Sequence, residues 1–290
     1  PLDIDFDGAI DFVYAADASG ALYRISFASL DSETALATVA LSSGSWTIKK
    51  IAETSGADKR FMNRPVVGAV GNKVFVTIGS GDRERPLKVN YPYTSDIDNR
   101  FYAFVDRPYP WDENNDGTLQ TAEATISLRP TADLDGSTML DAATGLATGE
   151  TILDFDGWYL DLPDTGEQVV NQSAIGGGAV YFNSFQPVGN SQGACAELGT
   201  SKAYSIPLFD PVYDSGTIFG QGIPIPPIIV TVDLGSGDDS CSGGPCGDGE
   251  LDDETVTVCI GCQGFKPLEI VPSGTGRARE AYRAENIDRL

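Results

Sequence analysis

The stretch FVYAADASGALYRISF, residues 12–27, contains the strand pattern that recurs along this 290-residue chain. Its two ends, Phe12–Ala15 and Ala21–Phe27, are rich in apolar residues, and apolar and polar residues alternate in the second, as in a strand with one buried face. Gly20 lies between them and can adopt the positive φ of a tight turn. The stretch therefore predicts a β-hairpin.

Similar segments recur along the chain and predict an all-β protein. The further predicted strands are Thr34–Ala40, Trp46–Ile51, Pro65–Val70, Lys73–Ile78, Arg100–Val105, Ala179–Phe185, Lys202–Leu208, Ile228–Asp233 and Thr255–Cys259. The strands recur in groups, and three segments share an apolar-Tyr pattern that we interpret as the outer strand of a group: Leu22–Ile25, Phe101–Phe104 and Ala203–Ile206. Cycles of four short strands with long polar insertions predict a β-propeller-like fold of about four blades. A β-sandwich is the alternative.

We expect a single domain over residues 1–290, with insertions at 107–150 and 235–262. An open arc of about four blades would expose a long unpaired strand edge, which natural proteins avoid. The remaining blades are therefore expected upstream of Pro1. The chain also begins directly with a motif, which is typical of the interior of a longer protein.

The composition favours metal binding over catalysis. The chain has 42 acidic and 19 basic residues, a formal charge of −23, and no histidine. So much negative charge repels phosphate backbones, and we expect no nucleic-acid partner. Without histidine the chain lacks the commonest general base and the usual nucleophile pairs, so we predict that it is not an enzyme. The sequence contains no run of about 18 apolar residues, so we predict no membrane-spanning segment.

The first acidic motif, DIDFDGAID, covers residues 3–11. Calcium takes six to eight oxygen ligands, and alternate residues of a turning loop can direct their oxygens inward. Gly8, at the sixth position, permits the sharp turn that directs the next carbonyl at the ion. The predicted Ca2+ ligands are Asp3, Asp5, Asp7, Ala9 and Asp11.

The second acidic motif, DENNDGTLQTAE, matches the twelve-residue EF-hand loop at residues 112–123. The two prolines at 108 and 110 discourage a preceding helix, so we interpret it as a loop-only Ca2+ site within the 107–150 insertion. Its predicted ligands are Asp112, Asn114, Asp116, Thr118, Gln120 and Glu123. A third and weaker match, Asp133 and Asp135 with Asp141, is interpreted as ordinary Asp-Gly turn chemistry.

Five cysteines occur, four of them close together: Cys195, Cys241, Cys246, Cys259 and Cys262. In an exported protein they are typical of disulfides that staple a loop, and the alternative is a zinc site with four thiolates. Haem attachment is excluded because Gln263, not histidine, follows Cys262. Spacing leaves the connectivity open.

Several stretches, in order, resemble the C-terminal region of the PilY/PilC family of type IV pilus tip-associated adhesin and biogenesis factors. The Asp loop runs directly into the hairpin over Asp3–Phe27, as in that family. Asn63–Val66 followed by Val74–Gly81, and Gly157–Leu162 followed by Gly166 and Glu167, resemble two further family segments. The loop at 112–123 and the Cys-rich insertion are not part of that pattern.

The resemblance implies a calcium-controlled β-propeller protein at the pilus tip, outside the cell after export through the periplasm. It implies action in pilus assembly and retraction and in adhesion, with minor pilins and a host or abiotic surface as partners. Two other functions remain open. One is a calcium-dependent quinoprotein-like propeller dehydrogenase, and the other is an integrin-like or carbohydrate-binding secreted propeller.

Overall fold

The structure is a computed structural model, and it describes residues 1–4, 6–30, 38–40, 45–55, 59–70, 73–84, 98–108, 131–187, 199–213, 216–233 and 255–262. These residues form β-strands and one 3-10 helix, Ile152–Asp154. The strands are β1 Phe12–Ala16, β2 Ala21–Ser26, β3 Ala28–Leu30, β4 Thr38–Ala40, β5 Thr47–Glu53, β6 Val66–Val70, β7 Lys73–Gly79, β8 Arg100–Asp106, β9 Ala132–Asp133, β10 Leu140–Asp141, β11 Gly157–Asp161, β12 Gln168–Val169, β13 Ala174–Gly176, β14 Ala179–Gln186, β15 Thr200–Pro207, β16 Thr217–Gln221, β17 Ile228–Asp233 and β18 Thr255–Ile260.

The strands form four successive sheets and a short β3–β4 hairpin. The first sheet has the order β1-β2-β5-β9, and the second has the order β10-β11-β8-β7-β6. The third has the order β12-β14-β15-β16, with β13 also paired to β14, and the fourth is the β17–β18 hairpin. None of these sheets closes on itself within the described residues. The all-β prediction is confirmed, whereas the propeller arrangement and its number of blades remain predictions.

The second sheet lies between the first and third sheets. Every residue of β7 is buried, because its alternate side chains enter two different cores. Val74, Val76 and Ile78 pack in one core with Phe12 and Leu22 of the first sheet. Phe75, together with Phe101 of β8, packs in the other core, which the third sheet supplies with Val180, Phe182, Tyr204 and Ile206. Burial on both faces explains why the two strands are almost entirely apolar.

The interpretation of the three Tyr-containing segments as outer strands was wrong. β2 lies between β1 and β5, β8 between β7 and β11, and β15 between β14 and β16. The strand that flanks each of them comes after a further stretch of chain, 27–46, 107–156 or 208–216. Each Tyr-containing strand was taken for the last of its group because the strand that flanks it comes much later in the sequence. In the sheet it is an interior strand.

A short segment, residues 131–142, joins the first and second sheets. β9 extends the first sheet by pairing parallel to β5, and β10 extends the second by pairing parallel to β11. Leu134 and Met139, between these two strands, are buried in the core that the sheets share. The segment thus adds backbone hydrogen bonds to both sheets and apolar contacts between them.

Asp135 lies at the centre of this segment and is held by two cations, Arg100 of β8 and Lys59 between β5 and β6. Its Oδ1 accepts hydrogen bonds from Lys59 Nζ at 2.8 Å, Arg100 Nη1 at 2.7 Å and the Tyr102 hydroxyl at 2.8 Å. Burial by itself raises the pKa of this carboxyl, but the hydrogen bonds from Lys59, Tyr102 and Arg100 and the charge of Lys59 outweigh it. They lower the pKa of Asp135 from 3.8 to about 2.

Cys259 and Cys262 form a disulfide at the end of β18, with their Cα atoms 5.6 Å apart. The other three cysteines, Cys195, Cys241 and Cys246, lie outside the described residues.

In the part of the chain that the structure describes, no helix has the length and apolar character needed to cross a membrane.

Replacing Asp135 by Asn should lower the free energy of unfolding at pH 7 by about 2 kcal/mol, because the depressed pKa means that the charged carboxylate stabilises the folded state. This stabilisation is fully present above the unfolded pKa of 3.8 and is lost as the pH falls through about 2. Urea unfolding of both proteins between pH 2 and pH 7 should therefore give curves that converge at low pH.

The exposed Asp210 provides the matched control, since Asp210→Asn changes the charge by the same amount away from the segment. It should leave the unfolding free energy within about 0.5 kcal/mol of the native value. Equal effects of the two substitutions would contradict the role given to Asp135.

Candidate metal site in the first loop

The Asp loop begins and ends on a bridge between Leu2 and Phe12. Leu2 N–H donates to Phe12 O at 2.7 Å, and Asp11 N–H donates to Leu2 O at 2.9 Å. Phe27 N–H donates to Asp11 O at 2.8 Å, which attaches the end of the loop to β2 as well. The bridge therefore closes residues 3–10 into a loop at the edge of the first sheet.

Three carboxylates of the loop accept hydrogen bonds from its own backbone. Gly8 N–H donates to Asp3 Oδ2 at 2.8 Å, Ile4 N–H donates to Asp11 Oδ2 at 2.8 Å, and Ala9 N–H donates to Asp7 Oδ1 at 2.7 Å. Asp3 and Asp11 are 8% and 2% exposed, whereas Asp7 is exposed. The loop thus turns two of its carboxylates inward.

The second oxygen of Asp3 distinguishes this loop from an ordinary acidic turn. Asp3 Oδ1 is buried and has no hydrogen-bond partner among the residues that the structure describes. Burial of an anionic oxygen without a partner is unfavourable, and native proteins avoid it unless a water molecule or an ion completes the group. The donor type fits Ca2+, which prefers carboxylate and carbonyl oxygens.

Two residues of the loop have left-handed backbone conformations. Gly8 has φ 92°, which glycine adopts at little cost, and Phe6 has φ 60°. Nothing lies within 4 Å of the position that a Cβ at Gly8 would occupy. The requirement for glycine there comes from the backbone alone.

The structure brings together only part of the predicted ligand sets. Asp3, Asp7, Ala9 and Asp11 lie in the same loop, and Asp5 lies outside the described residues. Within the described residues, no three His, Cys, Asp or Glu side chains are grouped closely enough to hold a metal ion. All six ligands predicted in the second motif lie outside the described residues: Asp112, Asn114, Asp116, Thr118, Gln120 and Glu123.

The third acidic match forms turns, as the sequence indicated. Asp133 Oδ1 accepts from Asp135 N–H at 3.0 Å, and Asp141 Oδ1 accepts from Ala143 N–H at 2.8 Å. Asp135 uses its carboxylate to bind Lys59 and Arg100. These groups are engaged with protein donors and leave no reason to infer a third ion.

Sequence reasoning missed a set of carboxylates that bind the repeated tyrosines. The tyrosine of each apolar-Tyr segment donates its hydroxyl to a carboxylate. The pairs are Tyr23 with Asp17, Tyr102 with Asp135 and Tyr204 with Glu167. The repeated tyrosine was therefore the available signal, but nothing near it in sequence identifies the acceptor.

Asp106 and Glu167 are buried carboxylates that are paired with cations, as Asp135 is. Asp106 accepts from Arg24 Nη1 at 2.8 and 2.7 Å and from the Tyr14 hydroxyl at 2.8 Å, which ties the first sheet to the second. Glu167 accepts from Lys202 Nζ at 3.0 Å within the third sheet. Paired and hydrogen-bonded charges of this kind are structural and have no need of a metal ion.

No protein-family model matches the chain, and no curated protein matches its sequence. Among solved structures, the C-terminal domain of PilY1 from Pseudomonas aeruginosa superimposes with a TM-score of 0.48 at 16% sequence identity. The match covers 74% of this chain and 47% of that one, so this chain spans about half the length of the PilY1 domain.

Replacing Gly8 by Ala should loosen the loop, because a side chain makes φ 92° unfavourable by about 1 kcal/mol. The Ile4 amide, which donates to Asp11, should then lose about fivefold in protection from hydrogen exchange. Amide exchange measured by NMR reports this directly.

Gly149 is the matched control, because its φ is 91° and no atom lies within 4 Å of its Cβ position. Gly149→Ala should leave the protection of the Ile4 amide from hydrogen exchange unchanged. Undiminished protection of that amide in Gly8→Ala would mean that the described loop geometry is wrong.

Proposed function

We propose that this chain is a calcium-binding, non-enzymatic surface protein that acts at the type IV pilus. The observation that carries the calcium assignment is the buried Asp3 Oδ1, for which the described part of the chain provides no hydrogen-bond donor. The pilus assignment is supported by the order of the sequence motifs that resemble the PilY/PilC family. The two parts of the proposal are tested separately below.

The proposed ion binds inside the first loop. Its ligands are Asp3, Asp5, Asp7, the carbonyl of Ala9 and Asp11. The hydrogen bonds from Gly8 and Ile4 occupy one oxygen each of Asp3 and Asp11, so the loop orients both carboxylates without the ion. Such preorganisation lowers the cost of binding, because fewer groups must be ordered when the ion arrives.

Binding here would stiffen the edge of the first sheet. Asp11 continues directly into β1, and its carbonyl accepts from Phe27 at the end of β2. Extracellular calcium modules have dissociation constants of about 0.1 to 1 mM. At about 1 mM calcium, the tighter value stabilises the bound state by about 1.4 kcal/mol, which is a tenfold shift in population. Calcium would therefore modulate a fold that also forms without it.

The second proposed ion binds the loop at 112–123 through Asp112, Asn114, Asp116, Thr118, Gln120 and Glu123. The absence of histidine and the charge of −23 support a binding role over catalysis. Minor pilins and a host or abiotic surface are the proposed partners, and the tip of the pilus outside the cell is the proposed location.

Calorimetric titration tests the two calcium sites, and we expect two ions per native chain. Asp3→Asn removes one negative charge and one inward-facing anionic oxygen, and it should weaken the first site about tenfold or more. Glu123→Gln should weaken the second site alone. The double variant should bind both ions about tenfold or more weakly than the native chain, whereas Asp210→Asn should bind both as the native chain does.

If Asp3→Asn binds calcium with unchanged affinity and stoichiometry, the first site is wrongly assigned. If the native chain binds one ion and Glu123→Gln binds none, only the second motif is a site. Thermal unfolding in the absence of calcium checks that every variant remains folded.

Deletion of the gene tests the pilus assignment independently of calcium. The number of surface pili should fall, and the native gene should restore it. An unchanged number of pili, together with binding of the purified protein to a glycan array, would favour the carbohydrate-binding alternative.

A further inference from the structure

The fourth sheet depends on its attachment to the third. Within the described residues it consists of the two strands β17 and β18, and a two-stranded hairpin is only marginally stable in water by itself. Ile229 of β17 supplies one attachment, because its side chain lies over Gly176 of β13 and occupies the space that a Cβ there would need. A second attachment lies at the end of β18, where the chain carries a disulfide.

The disulfide closes a turn over residues 259–262, which we call the disulfide turn. Gly261 within it has φ 78°, a left-handed conformation that glycine adopts at little cost. A Cβ at Gly261 would lie 3.0 Å from Pro226 O and 3.2 Å from Ile225 Cγ1, so the turn packs directly on the segment that leads into β17. The bond between the two sulfurs limits the conformations that this turn can adopt.

Asn183 of β14 connects the disulfide turn to the third sheet. Its Nδ2 donates to Gly261 O at 2.9 Å and to Ile225 O at 2.8 Å. The Asn183 residue is 1% exposed, and buried amide groups in native proteins keep their hydrogen-bond partners. One side chain therefore holds both the entry to the hairpin and its end on the third sheet, and it can do so only while Gly261 O stays in place.

The two cysteines of the turn differ in their exposure. Cys259 is 6% exposed, whereas Cys262 is half-buried. A thiolate that approaches from solvent therefore reaches Cys262 more readily than Cys259, and such access is one of the conditions for thiol–disulfide exchange. A disulfide across so short a loop also stabilises the folded state less than one across a long loop. Reduction should thus affect the turn and its attachment without unfolding the whole chain.

We propose that the Cys259–Cys262 disulfide is a redox-sensitive switch that controls the attachment of the fourth sheet to the third. In the oxidised chain the disulfide turn holds Gly261 O against Asn183. In the reduced chain the turn opens, Asn183 loses this acceptor, and the hairpin detaches more often. In an oxidising compartment, where disulfides persist, the hairpin is held in place.

Reduction of this disulfide takes two electrons and two protons, which a small dithiol supplies. Its thiolate attacks the sulfur of Cys262, the bond between the two cysteines breaks, and Cys259 leaves as a thiolate that takes up a proton. The second thiol of the reagent then attacks the mixed disulfide. This step releases Cys262 as a thiol and leaves the reagent as a cyclic disulfide.

Hydrogen exchange of the complete folded chain, measured by mass spectrometry before and after addition of dithiothreitol, tests the proposal. The amides of β17 should exchange about twentyfold faster after reduction, which is the loop-closure effect of a disulfide across so short a turn. The amides of β7, which is buried on both faces, should be unchanged. Cys259→Ser combined with Cys262→Ser should give the fast exchange of β17 with or without dithiothreitol.

Two further variants make the test specific. Replacing Cys195, Cys241 and Cys246 by Ser leaves this pair as the only cysteines of the chain, and this triple variant should respond to dithiothreitol as the native chain does. Asn183→Ala should speed the exchange of β17 in the oxidised chain and make it insensitive to dithiothreitol, because the turn then has no donor to hold.

Several results would overturn the proposal. They are a disulfide that dithiothreitol does not reduce in the folded chain, exchange of β17 that reduction leaves unchanged, and equal acceleration of β7 and β17. An effect of dithiothreitol that disappears in the triple variant would belong to other cysteines and would overturn it as well. If Asn183→Ala does not fold, the reduction experiment and the variant without Cys259 and Cys262 still decide the question.

Discussion

The second sheet is buried on both faces, and this burial fixes the positions of the sheets on either side of it. β7 has no exposed residue, and its alternate side chains fill two separate cores. Neither core can form unless a sheet lies on each side, so the first and third sheets are held in place by the same strand. The position of the Asp loop follows from this, because the loop is attached to the first sheet at Leu2 and Asp11.

Most of the buried charged side chains described between and within the sheets form ion pairs. Asp106 has Arg24, Asp135 has Lys59 and Arg100, and Glu167 has Lys202. In each of these clusters a tyrosine hydroxyl also binds the carboxylate. Burial of an unpaired charge is costly, and these clusters avoid that cost with protein donors. Asp3 Oδ1 is the contrasting case, a buried carboxylate oxygen with no such donor within the described ranges, which is why it carries the functional proposal.

The sequence predicted the limits of β-strands well where a short, mostly apolar run was clearly bounded. Ile228–Asp233 was predicted with its observed limits, and Lys73–Gly79 and Arg100–Asp106 within one residue. It could not predict β11 as the partner of β8, because some fifty residues separate them, nor the pairing of β9 and β10 with two different sheets. Such pairings depend on tertiary contacts and have no local pattern. In the same way the Asp loop was recognisable from its spacing, but the hydrogen bonds that leave Asp3 Oδ1 without a partner were not.

The proposed calcium ion lies against Asp3 in the loop at residues 3–11. Long-wavelength X-ray diffraction from crystals grown with millimolar calcium can locate it, since calcium then gives an anomalous signal. An anomalous peak is expected about 2.3 to 2.6 Å from Asp3 Oδ1. Density for a water molecule in that position, with no anomalous peak anywhere in the loop, would contradict it.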